Sequence, residues 1–366
     1  MFDPARFVRR DIAAMEPYVP IVPFEVLSAR LGRSPEDIVK LDANENPYGP
    51  APAARRALAE APYLHIYPDP EATALRAALG RYTGVDSRLL LAGAGADELI
   101  DLLLRAVLEP GDPVIDCPPS FGMYPFSTAV NMGTVLTVPR QRDFRLDLPA
   151  IRAAALAEPG AKVLFVCSPN NPDGSVVADA ELEQLLALPL LVVLDEAYVE
   201  FSGGSRIEWV ARYQNLAVLR TFSKWAGLAG LRAGYGAFPA WLLPYLWKIK
   251  QPYNVNVAAS VAALASLQDS GWLQERVAAL VAERERLQRE LAAFPFLAPF
   301  PSQANFVLCR VTGRDARALK LGLEQSGVLV RYFAKPRLEQ CIRISAGRPQ
   351  DTDRLLAALH ELEEER

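Results

Sequence analysis

The stretch LLVVLDEAYVEF (190–201) decides the reading of the fold. Its first five residues are apolar without alternation, so neither face is offered to water. A strand covered on both sides of a mainly parallel sheet reads this way. The run then breaks into Asp195, Glu196 and Tyr198. In open α/β sheets ligands sit at the carboxyl ends of strands. A carboxylate at such a place is costly unless it has a partner.

The same signature recurs on both sides of this stretch. PVIDC (113–117), TVLTVP (134–139), KVLFVCS (162–168), LAVLRTFS (216–223) and RAGYGAF (232–238) are further strand candidates. Helical patterns run between them: Ile100, Leu103, Leu104, Val107 and Leu108 share one face of a helix. Pro110-Gly111 ends that helix. The alternation predicts a layered α/β domain over residues 43–258. From 258 to 293 the pattern predicts one long amphipathic helix. ANFVLCRV (304–311), VLVRYF (328–333), CIRISAG (341–347) and a last helix follow, an α+β arrangement that predicts a smaller domain over 259–366. Residues 1–42 carry no core of their own and are expected to lie as an arm on the small domain or on a partner subunit.

Composition narrows the function. The chain has 366 residues, 51% hydrophobic and 22% charged, with net charge −4. That is a globular profile without the basic footprint of a nucleic-acid binder. No signal-peptide pattern and no apolar run of membrane-spanning length is present. Four dispersed cysteines, Cys117, Cys167, Cys309 and Cys341, lie in or beside apolar runs and are expected as buried reduced thiols of a cytoplasmic protein. Only two histidines exist, His65 and His360, too few for a histidine-built zinc site or a Ser/His/Asp triad. No metal is expected.

Four segments could carry chemistry. AGAGADELI (92–100) joins a strand to a helix. It fails as a dinucleotide fingerprint, because the third glycine position holds Glu98. Two readings stay open: a phosphate cradle from the amides of Gly95, Ala96 and Asp97, or a tight turn with Asp97 as N-cap. Asp195 and Glu196 could hold a metal, or could simply turn into solvent. FVCSPNNPDG (165–174) is a stiff turn able to present the amide of Asn171. Lys224 follows a buried strand and precedes the small-residue run Ala226–Leu231. Burial would lower its pKa and make it a nucleophile or base, and Ser223 and Arg232 beside it suit a phosphate. Together these supply an amine, a carboxylate, a phenol, an amide and an anion site, the inventory that pyridoxal 5'-phosphate needs.

On these motifs, with LDANENPYGP (41–50), CPPSFGMY (117–124), ANFVLCR (304–310) and CIRISAGRP (341–349), the sequence resembles the fold-type-I pyridoxal-phosphate aminotransferases over nearly its whole length. The resemblance implies that Lys224 carries the cofactor and then acts as base of the 1,3-proton shift. Asp195 would keep the ring nitrogen protonated. Tyr198 and Asn171 would hydrogen-bond the ring oxygen. Ser223, Arg232, Thr221 and the amides of Gly95, Ala96 and Asp97 would hold the phosphate. Phe121 or Tyr124 would cover the ring. Tyr48 would reach the neighbouring subunit's cofactor phosphate, which implies a homodimer.

For substrate, the resemblance implies Arg343 and Arg331, with Tyr18, Asn44 and Asn171. In CIRIS, Ile342 and Ile344 alternate with Arg343, which places the arginine on the opposite face of its strand. A guanidinium fork suits a carboxylate or a phosphate, in line with a phosphorylated amine and glutamate/2-oxoglutarate as the pair. An aromatic-amino-acid aminotransferase and a threonine-phosphate decarboxylase are the alternatives of the same fold, and a silent sensor the alternative from another class. The family pattern commonly has Thr-Tyr at Ser120-Phe121, Lys-Ala-Phe at Lys224–Ala226 and Asn-Pro-Thr-Gly at Asn171–Gly174. Trp225 beside the lysine either packs or trims the substrate pocket.

Overall fold

In the computed structural model, which describes residues 2–17 and 22–364, twelve strands form two sheets. They are β1 (Val39–Leu41), β2 (Leu90–Gly93), β3 (Pro113–Asp116), β4 (Thr134–Thr137), β5 (Val163–Cys167) and β6 (Leu191–Asp195). They continue with β7 (Leu216–Thr221), β8 (Gly234–Ala237), β9 (Leu297–Pro299), β10 (Phe306–Val311), β11 (Val328–Tyr332) and β12 (Cys341–Ser345).

The larger sheet has the order β2-β8-β7-β6-β5-β3-β4. Strands β3 to β7 pair in parallel, and only β8 runs against both of its neighbours. The unalternating strands now have a cause. Leu164, Val166, Val192, Leu194 and Val218 face one core, while Val163, Phe165, Val193, Ala217 and Leu219 face the other. Every residue of β5, β6 and β7 is buried. The α/β expectation holds.

The smaller sheet has the order β1-β11-β12-β10-β9, with β1 parallel to β11 and the other pairs antiparallel. Leu319, Leu323, Leu355 and Leu359 of two helices cover the face that carries Ile342 and Ile344. Arg343 therefore points away from that core, as its alternation with the isoleucines requires. Strand β1 delivers the chain from this sheet directly into the Asp42–Pro50 loop.

The single helix expected over 258–293 is two helices, Val257–Gln268 and Ser270–Leu291. Asp269 sits between them at φ −105°, ψ 38°, outside helical geometry. Asp, Ser and Gly in succession (269–271) are weak helix formers, so the break falls there. The first helix buries only small residues, Ala259, Ala262, Ala263, Ala265 and Ser266. The second spans both cores, with Leu273 and Leu280 in the large one and Leu287 and Leu291 in the small one. All four cysteines are free and buried. Among the described residues no helix is long and apolar enough to cross a membrane.

Candidate active site

The carboxyl ends of β5, β6 and β7 lie side by side, with Cys167 opposite Asp195 and Asp195 opposite Leu219. Asn171, Asp195, Thr221, Ser223 and Lys224 therefore leave the sheet at one edge. His65 and His360 are exposed and take no part.

Asp195 is only 3% exposed. It accepts from the Tyr124 hydroxyl at 2.6 Å and the Ala197 amide at 3.0 Å. Burial outweighs these neutral donors and raises its pKa from 3.8 to about 6, and the nearby charges of Asp97 and Glu196 are also negative. Among the described residues no ion pair reaches this desolvated carboxylate. A protonated ring nitrogen is the group that would complete it.

Glu196, the next residue, has a different task. It takes Arg220 Nε at 3.0 Å, and both side chains are buried. The metal reading of the two adjacent carboxylates therefore gains nothing, and among the described residues no cluster of metal-ligating side chains exists. Nothing in the local pattern marks this pair except an arginine inside the apolar strand LAVLRTF.

Phe121 and Tyr124 separate cleanly. Tyr124 is buried, stacks on Phe165 at 4.6 Å and spends its hydroxyl on Asp195. Phe121 is partly exposed and meets Tyr124 edge-on at 5.6 Å. Of the two, Phe121 is the ring left to cover a flat ligand.

Lys224 is partly buried and donates from Nζ to the Ala43 carbonyl at 3.3 Å. Burial, aided by the charge of Arg343, draws its pKa from 10.5 down to about 8. About a tenth of the amine is then neutral at pH 7, against less than one part in a thousand for an ordinary lysine. Its neighbour Trp225 is 1% exposed and stacks on Tyr82 at 5.3 Å and 2°. That side chain packs into the core.

The loop holding Lys224 also touches the Asp42–Pro50 loop. Gly227 adopts φ +67°, and a Cβ there would lie 2.4 Å from the Gly49 carbonyl oxygen. Both the left-handed backbone and the contact demand glycine. Gly227→Ala is expected to lower stability by about 2–4 kcal/mol, read as the shift in urea midpoint; a change under half a kcal/mol would contradict the contact.

The strand-to-helix turn at Gly95 opens beside Arg232. The helix Ala96–Val107 starts at the site, with Gly95 as N-cap rather than Asp97. Asp97 instead pairs with Arg232, whose Nη2 lies 2.7 Å from its carboxylate. A Cβ on Gly95 would come within 2.7 Å of Arg232, so glycine lets the arginine close over the helix start. Arg232 itself holds φ +56°, a strained backbone of the sort found at ligand sites. Thr221 Oγ1 and Ser223 Oγ lie 2.9 Å apart beside it.

On the other side, Arg343 Nη1 donates to Asn171 Oδ1 at 2.6 Å. Asn171 is thereby oriented with its Nδ2 as the donor left for a ligand. Arg331 stands opposite Arg343 across β11 and β12, with its guanidinium over Phe333 at 5.6 Å. Asn44 Nδ2 donates to the Tyr198 hydroxyl at 3.1 Å. Tyr48 lies under Arg276 of its own chain at 5.5 Å. Tyr18 lies outside the described residues. Two residues unnoticed in the sequence, Asn305 and Ser345, also reach this edge through Asn44.

Comparison with known proteins agrees with this geometry. The family described as aminotransferase class I and II matches residues 36–359. Over 355 residues the chain is 54% identical to the chloroplastic histidinol-phosphate aminotransferase of Nicotiana plumbaginifolia, covering 96% of this chain and 86% of the relative. The histidinol-phosphate aminotransferase of Roseiflexus castenholzii is also 54% identical, with 97% and 98% covered. A crystal structure of histidinol-phosphate aminotransferase from Sinorhizobium meliloti in complex with pyridoxal-5'-phosphate superposes with TM-score 0.89 at 33% identity, covering 98% of each chain.

Proposed function

The chain belongs to the class I and II aminotransferases, and from that premise we propose that it transfers the amino group of L-histidinol phosphate to 2-oxoglutarate, giving imidazole-acetol phosphate and glutamate. The observation that carries the reaction class is the pair formed at one sheet edge by a lysine drawn down to about 8 and a buried, cation-less Asp195. The substrate rests on the 54% identity to relatives of that name. Neither the aromatic-amino-acid nor the decarboxylase alternative is favoured.

Pyridoxal 5'-phosphate, when bound, supplies an electron sink for the substrate's α-carbon. The residues present fit it. Arg232, Ser223, Thr221 and the amides at Gly95, Ala96 and Asp97 would hold its phosphate. Asp195 would hold a proton on its ring nitrogen, with Tyr124 aiming the carboxylate. Tyr198 and Asn171 would donate to its ring oxygen, and Phe121 would cover its face. Lys224, neutral in part at pH 7, would take and return the proton at the substrate's α-carbon.

Arg343 would bind the carboxylate or phosphate of either substrate, with Arg331 and Asn44 on the same side. Replacing Arg343 with Ala is expected to raise KM for both the amine donor and the oxo acid, each by about 10- to 100-fold. An unchanged KM for either substrate would leave the arginine a structural part only.

We place two copies in the working protein. An exposed apolar patch supports this: Tyr63, Leu64, Ile66 and Tyr67 are each more than half exposed. Contact of Tyr48 with the partner's cofactor phosphate belongs to the same proposal. A smaller second domain is kept as well, supported by the separate small-sheet core, which also takes in Val39 and Leu41; the cut at 258/259 runs against Ala259, Ala262 and Leu273, which pack in the large core. Free buried cysteines suit a cytoplasmic setting. The deciding test of function is an assay of histidinol phosphate with 2-oxoglutarate.

A further inference from the structure

Asp42, Ala43 and Asn44 form a strap between β1 and the large domain, and their three successive carbonyls are each taken by a different side chain. Arg343 Nη2 donates to the Asp42 oxygen at 2.7 Å. Lys224 Nζ donates to the Ala43 oxygen at 3.3 Å. Asn305 Nδ2 donates to the Asn44 oxygen at 3.0 Å. Once Lys224 is engaged elsewhere, the strap depends on Arg343 and Asn305.

Ser345 completes the arrangement. Its hydroxyl accepts from the Asn44 backbone amide at 2.9 Å. Its one hydrogen is then directed to Asn44 Oδ1, at 3.0 Å. This fixes the orientation of the Asn44 amide, with oxygen toward Ser345 and Nδ2 toward the Tyr198 hydroxyl. Tyr198 accepts from Asn44, so its own hydrogen is left to donate into the site. Asn44 holds φ +56° while doing this, a conformation a non-glycine residue keeps only when its surroundings enforce it. Asn44, Asn305 and Ser345 are 1%, 0% and 2% exposed.

One further detail separates this from ordinary core structure. Among the described residues, the Oδ1 of Asn305 is buried without a hydrogen-bond partner. Such an oxygen is unfavourable, and an apolar residue would remove it. What an apolar residue could not provide is the Nδ2 donor to the strap.

We propose that Asn305 and Ser345, both on or beside the small sheet, are positioning residues for the transamination. They hold the strap and aim the Asn44 amide, which in turn sets the donating direction of Tyr198 and the seat of Lys224. Neither touches the reacting atoms. The proposal rests on the cofactor-dependent reading given above.

The test uses the cofactor-loaded protein as wild type, Asn305→Ala, Ser345→Ala and Ser345→Thr, and reads the pH midpoint of the cofactor's visible absorption band. A donor at the ring oxygen favours negative charge there, so losing its aim raises the midpoint. Both alanine variants are expected to raise it by about half to one pH unit, the effect of one net hydrogen bond. Their kcat is expected to fall about 5- to 10-fold, with KM for 2-oxoglutarate changing by less than about twofold. Ser345→Thr, which keeps the hydroxyl, returns the midpoint to the wild-type value. Midpoints unmoved in both alanine variants overturn the proposal; if Asn305→Ala does not fold, Ser345→Ala decides by the same criterion. A wild-type protein with no visible band would instead bring down the cofactor-dependent reading itself.

Discussion

Lys224→Ala is expected to abolish transamination, by at least about four orders of magnitude, because the proposed roles of attachment point and proton-transfer base would be lost together. The fold should survive. Among the described residues Lys224 makes one hydrogen bond, to Ala43, and its surroundings already disfavour the charged amine. The depressed pKa also sets a pH window in the cofactor-free protein. The neutral amine rises through about pH 8, so the rate at which an added aldehyde reacts with Lys224 should climb up to that pH and then level off. Borohydride trapping followed by peptide mapping identifies the residue. A Lys224→Ala protein with wild-type turnover, or a label on another lysine, would contradict the assignment.

Asp195→Asn is the second large effect. The asparagine keeps the shape and the bonds to Tyr124 and Ala197, since the Tyr124 hydroxyl can turn to accept from an amide. It loses the charge that would hold a proton on the ring nitrogen. A loss in kcat/KM of about 10²- to 10⁴-fold is expected for removing a charge buried in this way. Stability of the cofactor-free protein should move the other way. The folded carboxyl is raised from 3.8 to about 6, so ionising it costs stability. That cost is absent below pH 3.8, grows between the two values and is complete above about 6. The variant should therefore be more stable than wild type at pH 7, by at most about 3 kcal/mol, and equal to it at pH 3.5. Urea unfolding at the two pH values checks the sign. A variant less stable at pH 7 would mean the carboxylate has a cation this account omits.

Much of this was legible in the residues, for identifiable reasons. Strands β5, β6 and β7 are covered on both faces, so their sequences lack alternation and announce the parallel sheet. Asp195, Lys224 and Asn171 stand at the ends of those strands, where charge after an apolar run is conspicuous. The break at Asp269 was hidden because helical periodicity continues on both sides of it, and only local propensity marks it. The choice between Phe121 and Tyr124 was closed to the sequence, since both are aromatic and only packing against Phe165 separates them. The Glu196–Arg220 pair required strand register. Asn305 and Ser345 lie 261 and 301 residues from Asn44 along the chain, beyond any local pattern, and their bonds go to the backbone and the side-chain amide oxygen of Asn44, which no motif records.

The proposed activity is a transamination whose amino donor is histidinol phosphate. The most direct measurement is a spectrophotometric assay of the cofactor-loaded protein that follows glutamate formed from histidinol phosphate and 2-oxoglutarate, run beside phenylalanine as donor. The prediction is glutamate production with kcat/KM for histidinol phosphate well above that for phenylalanine. Faster turnover of phenylalanine, or release of carbon dioxide from threonine phosphate without any oxo-acid acceptor, would contradict it.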